Sequence, residues 1–165
     1  MDQLWATWRM EYIAGSEPTP GCLFCSMARA QEDEKNYVVF RADRCFVVLN
    51  RYPYNSGHLM VVPYQHVGEI AGIEPATGAQ LFAITQLAIR VLDETMHPDG
   101  FNAGFNQGAV AGAGIKDHIH LHVVPRWNGD TNFMPVLADA KVMPESLAAT
   151  AEKVRPIFNR LGTSS

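Results

Sequence analysis

The chain has 165 residues, 47% of them hydrophobic and 18% charged, and carries a net charge of −4 from 17 acidic and 13 basic side chains. That length and composition fit one globular domain able to bury about two-thirds of its unfolded surface. The acidic balance argues against nonspecific nucleic-acid binding, and no apolar run approaches the roughly 20 residues needed to cross a membrane.

The start, Met1-Asp2-Gln3-Leu4-Trp5, lacks the charged-then-apolar order of a signal peptide, so the expected location is cytoplasmic. Residues 1–20 read as an aromatic arm (Trp5, Trp8, Tyr12) running into the loop Gly15–Pro20, expected to pack on the body or on a partner chain. Cys22-Leu23-Phe24-Cys25 leads into a short helix over Ser26–Gln31. Val38–Arg41 and Cys45–Asn50 are predicted strands around the turn Ala42–Arg44, and Tyr52–Gly57 is a loop. His58–Pro63 is a third strand, apolar enough at Leu59–Val62 to be buried on both faces. In Ala76–Met96, Leu81, Ile84, Leu87, Ala88, Val91 and Leu92 follow a helical period, with Pro75 before it and Pro98 after. Phe101–Asn106 is a short strand and Gln107–Gly114 a glycine-rich loop. His118–Pro125 is rich in β-branched residues and ends at a proline, which predicts a strand. The turn Trp127–Asp130 follows, then a helix over Pro144–Leu161 with Leu147, Ala151, Val154 and Phe158 on one face; Pro156 is expected to dent its last turn. Strands joined by short turns predict an antiparallel α+β domain spanning residues 1–165, with residues 1–20 as an arm and residues 144–165 as a C-terminal helix and tail.

Two clusters carry chemistry. In His118-Ile119-His120-Leu121-His122, alternate residues of a strand point to one face, giving a row of imidazoles with a repeat of roughly 7 Å. A lone buried histidine is most often a hydrogen-bonded core residue, but three titratable rings on one face make a poor core. They point to a metal site or to nucleophilic and acid–base chemistry on a polar substrate. The second cluster is Cys22-x-x-Cys25, readable as a zinc half-site, a redox pair or two small apolar fillers. Three cysteines do not make a disulfide framework, and no second pair completes a four-cysteine site. A tetrahedral zinc would therefore recruit two histidines, with His66 and His118 the candidates. Such an ion would be structural, because all four positions would be filled. The alternative leaves free buried thiols and a helix-capping or surface His66.

The triple-histidine segment resembles the signature of the histidine triad superfamily of nucleotide hydrolases and transferases. The order of Leu49-Asn50-Arg51, Gly57-His58-Leu59-Met60-Val61-Val62-Pro63, His66-Val67 and Asn106-Gln107-Gly108 agrees. Trp5–Ile13 and Arg126-Trp127-x-Gly129-Asp130-x-Asn132-Phe133 resemble the bacterial diadenosine tetraphosphate phosphorylase-like branch. The resemblance runs to about Val142. It implies a five-stranded antiparallel sheet with flanking helices, continued across a homodimer, and no organic cofactor. It also implies that His120 attacks the α-phosphorus of a nucleotide, giving a nucleotidyl-imidazole that a second acceptor relieves. The substrate would be a dinucleoside polyphosphate or a nucleoside phosphoramidate.

That chemistry assigns further roles. His122 would donate to a phosphate oxygen or the leaving group. Asn106, Gln107, Gly108 and Gly114 would present amide donors to phosphate. Asn50 would meet ribose hydroxyls; Leu49 and Phe46 would line a base pocket, though both are also readable as plain core residues; Trp127 would stack on a second base or close the site, or else pack on its own turn as a surface-loop aromatic. His58 belongs to the pattern but is also readable as a brace for its loop. One position departs from it: relatives commonly carry Ser or Gln where Gly114 stands, preceded by glycine where Ala113 stands. Losing that side-chain donor costs roughly 3 kcal/mol of transition-state stabilisation unless Lys116 compensates. Water as acceptor makes a hydrolase and inorganic phosphate a phosphorylase. The competing readings are a catalytic metal held by all three triad histidines and a nucleotide-binding module without turnover, the latter favoured by Gly114.

Overall fold

The computed structural model describes residues 21–131 and 143–162. The aromatic arm with Trp5, Trp8 and Tyr12, and Asn132 and Phe133 of the tryptophan motif, lie outside the described residues. In order come α1 (Leu23–Ala30), α2 (Asp33–Asn36), β1 (Val38–Arg41), β2 (Cys45–Leu49), β3 (Leu59–Pro63), α3 (Pro75–Met96), β4 (Gly100–Phe105), β5 (Leu121–Arg126) and α4 (Leu147–Gly162). The strands form one antiparallel sheet in the order β1-β2-β3-β5-β4. This is the α+β architecture read from the strand spacing.

Alternation along the strands divides the core. Val39, Val47, Leu49, Leu59, Val61 and Val123 face α3 and α4 and pack on Leu81, Leu87, Ala88, Val91, Val154 and Phe158. Val38, Phe46, Val48, Met60 and Val62 face the other way and are covered by Phe24 of α1. Both faces of β2 and β3 are thus buried, which explains their unbroken apolar runs. Pro75 occupies the first turn of α3, where its missing N–H costs nothing. Pro156 lies inside α4, and the helix nonetheless continues to Gly162 while burying Val154 and Phe158. The four-residue α2 was not expected, being too short to show a period.

The expected histidine strand is corrected at its start. The ladder of β5 begins at Leu121, paired with Val61 and with Phe105. Ahead of it the backbone N–H of Ile119 donates to the Val67 carbonyl at 2.7 Å. The chain there follows the loop after β3, so His118 and His120 precede the strand and only His122 lies on it.

Candidate active site

The histidines do not form an evenly spaced row. The rings of His120 and His122 stand 4.8 Å apart at an angle of 71°, while the ring of His118 turns to His66, at 5.2 Å and 85°. Three rings arranged in this way do not converge on one point, which counts against a single ion held by all three.

Each ring has its proton placed by a group of known polarity. A carbonyl can only accept. His120 lies 2.9 Å from the His118 carbonyl through Nδ1, so Nδ1–H donates and Nε2 keeps its lone pair. His118 lies 2.8 Å from the Pro63 carbonyl through Nε2, so Nε2–H donates and the Nδ1 lone pair faces the cysteines. The backbone N–H of Tyr54 donates to His58 Nδ1 at 3.0 Å, with the Asn50 side-chain amide 3.3 Å from the same atom. The His58 proton is therefore on Nε2, 2.9 Å from His122 Nδ1. His122 in turn carries its proton on Nε2. The buried His58 is thus more than a loop brace: its ring sets the tautomer of His122, which no local signal beyond the Gly57-His58 pair announced. Tyr54 stacks against His122, with ring centroids 5.7 Å apart.

Burial pushes the His120 pKa down, opposed by its bond to the His118 carbonyl. The residue is 4% exposed, so its surroundings disfavour the charged ring. His118 is lowered too, first by burial, against a rise from its Pro63 bond and with smaller contributions from His66 and His120. Phe24, one residue from Cys25, closes the inner side of the site with its ring 5.0 Å from His120 and 5.4 Å from His118. Its only signal in the sequence was its place between the two cysteines.

Cys22, Cys25, His66 and His118 come together from α1, the loop after β3 and the approach to β5, with all four ligand atoms within 4.8 Å of one another. His118 Nδ1 lies 3.2 Å from Cys22 Sγ, 3.3 Å from His66 Nδ1 and 3.6 Å from Cys25 Sγ, and Cys25 Sγ lies 3.3 Å from His66 Nδ1. Tetrahedral Zn–S and Zn–N bonds require ligand separations of about 3.3–3.8 Å. The donor set suits zinc, and the four separations lie in or close to that range.

The other candidate residues divide. Val48 and Phe46 of β2 share the sheet face of His122, whose register partner is Met60. Leu49 faces the opposite way, into the core under α3 and α4. Its assignment to a base pocket is thereby corrected, because strand alternation puts its neighbour Val48 on the histidine face. Asn50 follows β2 directly and ties its loop, its Oδ1 accepting from the Tyr52 N–H at 3.0 Å. β4 ends at Phe105 opposite Leu121, so Asn106 and Gln107 leave the sheet beside the approach to His122. Gln107 Oε1 accepts from the Ile70 N–H at 2.9 Å and pins the loop before α3. Gly108 opens a single 3-10 turn over Ala109–Ala111, and Gly114 is exposed. Lys116 lines a cavity of about 480 Å³ with His66, Glu69, Gln107, Gly108 and Asp117, and neither His120 nor His122 borders it. Trp127 is half-buried in the turn after β5.

The HIT domain family matches residues 31–129. The chain belongs to the HIT family. A HIT relative of Mycobacterium tuberculosis named AP-4-A phosphorylase is 42% identical over 158 residues, which cover 91% of this chain and 80% of the relative. A Zn-bound histidine triad family protein from Mycobacterium smegmatis superposes with a TM-score of 0.71 at 26% identity, covering 88% of this chain and 98% of that one. A hypothetical histidine triad nucleotide-binding protein from Sulfolobus tokodaii gives 0.69 at 25% identity, with 85% of this chain and 93% of that one covered. The HIT match begins beyond Cys22 and Cys25, so the cysteine pair lies outside the matched segment.

Proposed function

We propose that this HIT protein is a nucleotidyl-transferring enzyme acting at the α-phosphate of a dinucleoside polyphosphate of the diadenosine tetraphosphate kind. The observation that carries the reading is the fixed tautomer of His120. A neutral ring with Nδ1–H committed to a carbonyl offers Nε2 as a nucleophile near pH 7. In the proposed reaction Nε2 bonds to the α-phosphorus and the bond to the bridging oxygen breaks. The Nε2–H of His122, held outward by His58, meets the departing oxygen. An acceptor then attacks the nucleotidyl-His120 and restores the ring. Asn50, Asn106, Gln107, Gly108, Gly114 and Trp127 are the proposed binding residues, with Val48 and Phe46 in place of Leu49 toward the base. Likeness to a protein named AP-4-A phosphorylase favours inorganic phosphate as acceptor over water.

We further propose that Cys22, Cys25, His66 and His118 hold a structural zinc, supported by their spacing and by the Zn-bound relative. With four protein ligands the ion has no open position; it would serve to tie α1 to the approach to the triad. The chain is proposed to act as one domain over residues 1–165 and as a homodimer. Support for the latter is the position of β4 at the sheet edge, with its last residue, Phe105, exposed and Phe82 exposed on α3. Among the described residues no helix is long and apolar enough to cross a membrane.

The test is incubation with diadenosine tetraphosphate, with and without inorganic phosphate, and resolution of the products by mass. ADP with ATP in the phosphate sample identifies a phosphorylase, and AMP with ATP identifies hydrolysis. His120→Gly should lose turnover by several orders of magnitude and still bind nucleotide. Near-normal turnover in that variant defeats the nucleophile assignment.

A further inference from the structure

One buried carboxylate belongs to none of the roles above. Asp130 stands in the turn after β5, and its side chain is 8% exposed. A carboxylate at that depth is costly unless donors meet both oxygens. Oδ1 accepts from Arg126 Nη2 at 2.8 Å. Oδ2 accepts from Arg126 Nε at 2.6 Å, from the Asn55 side-chain amide at 2.8 Å and from the backbone N–H of Trp127 at 3.1 Å.

The Asn55 contact gives Asp130 its reach. Asn55 sits in the loop between β2 and β3, and both of its amide protons are committed: one to Asp130, the other to the Pro125 carbonyl at 3.1 Å. Its backbone carbonyl, separate from that side-chain amide, accepts the backbone N–H of His58 at 3.2 Å. His58 then holds His122. Asp130 therefore anchors the Asn55 side chain, the Asn55 backbone holds the His58 backbone, and the His58 ring meets the His122 ring, three hydrogen bonds joined through the covalent frame of Asn55 and His58. The same carboxylate also accepts the backbone N–H of Trp127. An asparagine at position 130 keeps the shape but replaces one acceptor with a donor facing Arg126 or Asn55.

We propose that Asp130 is a positioning residue for leaving-group departure: through Asn55 and His58 it holds the His122 Nε2–H on the departing atom. This rests on the function proposed above. It predicts a dependence on the leaving group that general loosening of the fold would not produce. An amine must take a proton to leave, whereas a nitrophenolate need not.

The experiment compares wild type, Asp130→Asn and Asn55→Ala, the last of which leaves the Arg126–Asp130 fork in place. Two substrates are used: an alkylamine phosphoramidate of AMP and the p-nitrophenyl ester of AMP. In both variants kcat/KM for the phosphoramidate should fall about ten-fold or more, and for the ester less than about three-fold. Equal losses on both substrates, or no loss on either, overturn the proposal. Ring ¹⁵N spectra of the resting proteins report on the same link without turnover. Wild type should show His122 protonated at Nε2, and both variants should show mixed tautomers. An unchanged His122 tautomer in the variants also overturns the proposal. By contrast, wild type inactive on both substrates, or a fully active His120→Gly, defeats the proposed reaction and leaves the spectra to decide the role of Asp130.

Discussion

Gly57 links the packing of the fold to its chemistry, and replacing it with alanine tests both. Its φ is +74°, in the left-handed region, where a Cβ costs roughly 1–2 kcal/mol. The space is also taken: a Cβ there would lie 2.5 Å from Met96 Sδ and 3.2 Å from both Leu92 Cδ2 and Pro125 Cγ. Overpacking of that kind costs about 1–3 kcal/mol, and here the low end applies because the Met96 side chain can swing away. The sum is roughly 2–3 kcal/mol. With a urea slope of about 2 kcal/mol/M, the unfolding midpoint should fall by about 1–1.5 M. Turnover should fall as well, because residue 57 immediately precedes His58, whose N–H is bonded to Asn55. Gly162→Ala is the control. Its Cβ would meet the Phe40 ring at 2.6 Å on the helical side of the sheet, so it should destabilise without a comparable loss of kcat. A Gly57→Ala midpoint equal to that of wild type refutes the predicted clash. A destabilised Gly57→Ala with unchanged kcat refutes the link to His58.

Removing metal with a strong chelator should lower Tm, and added zinc should restore it; at a hundred-fold excess over Kd the ion contributes about 2.7 kcal/mol. Cys22→Ser/Cys25→Ser should carry less than stoichiometric zinc by emission spectroscopy, and a full complement in that variant would remove the cysteines from the site. Phe24→Ala, which empties the contact between α1 and the His118 and His120 rings, should cost about 3–5 kcal/mol in urea unfolding. A cost below about 1 kcal/mol would mean that α1 is not docked there. Burial pushes the Cys45 thiol up to about 12 from an ordinary value of 9.0. Because the folded value is raised, its stabilising effect is complete below about pH 9 and is lost as pH rises toward 12. Native protein at pH 8 should therefore resist iodoacetamide at Cys45, while urea-unfolded protein is labelled there, as read by mass spectrometry. Labelling of the native protein at the unfolded rate contradicts the burial.

Local pattern carries most of the fold. The strand Val38–Arg41 has the bounds its sequence predicts, and α3 and β2 agree to within one residue, because hydrophobic period and proline placement are encoded within each element. The triad and the Cys22-x-x-Cys25 pair are also legible, as close spacings of chemically unusual residues. Tertiary structure alone decides the rest. Which face of β2 meets the histidines depends on cross-strand register, and it puts Val48 there instead of Leu49. The tautomers of His118, His120 and His122 depend on the Pro63 carbonyl, the His118 carbonyl and the Tyr54 N–H, and two of these links run through partners more than 50 residues away in the chain. The Asp130 carboxylate likewise meets Asn55, 75 residues distant. Spacing along a chain determines what neighbours can do together. A proton's position on a ring is set by whichever polar group folding brings against it.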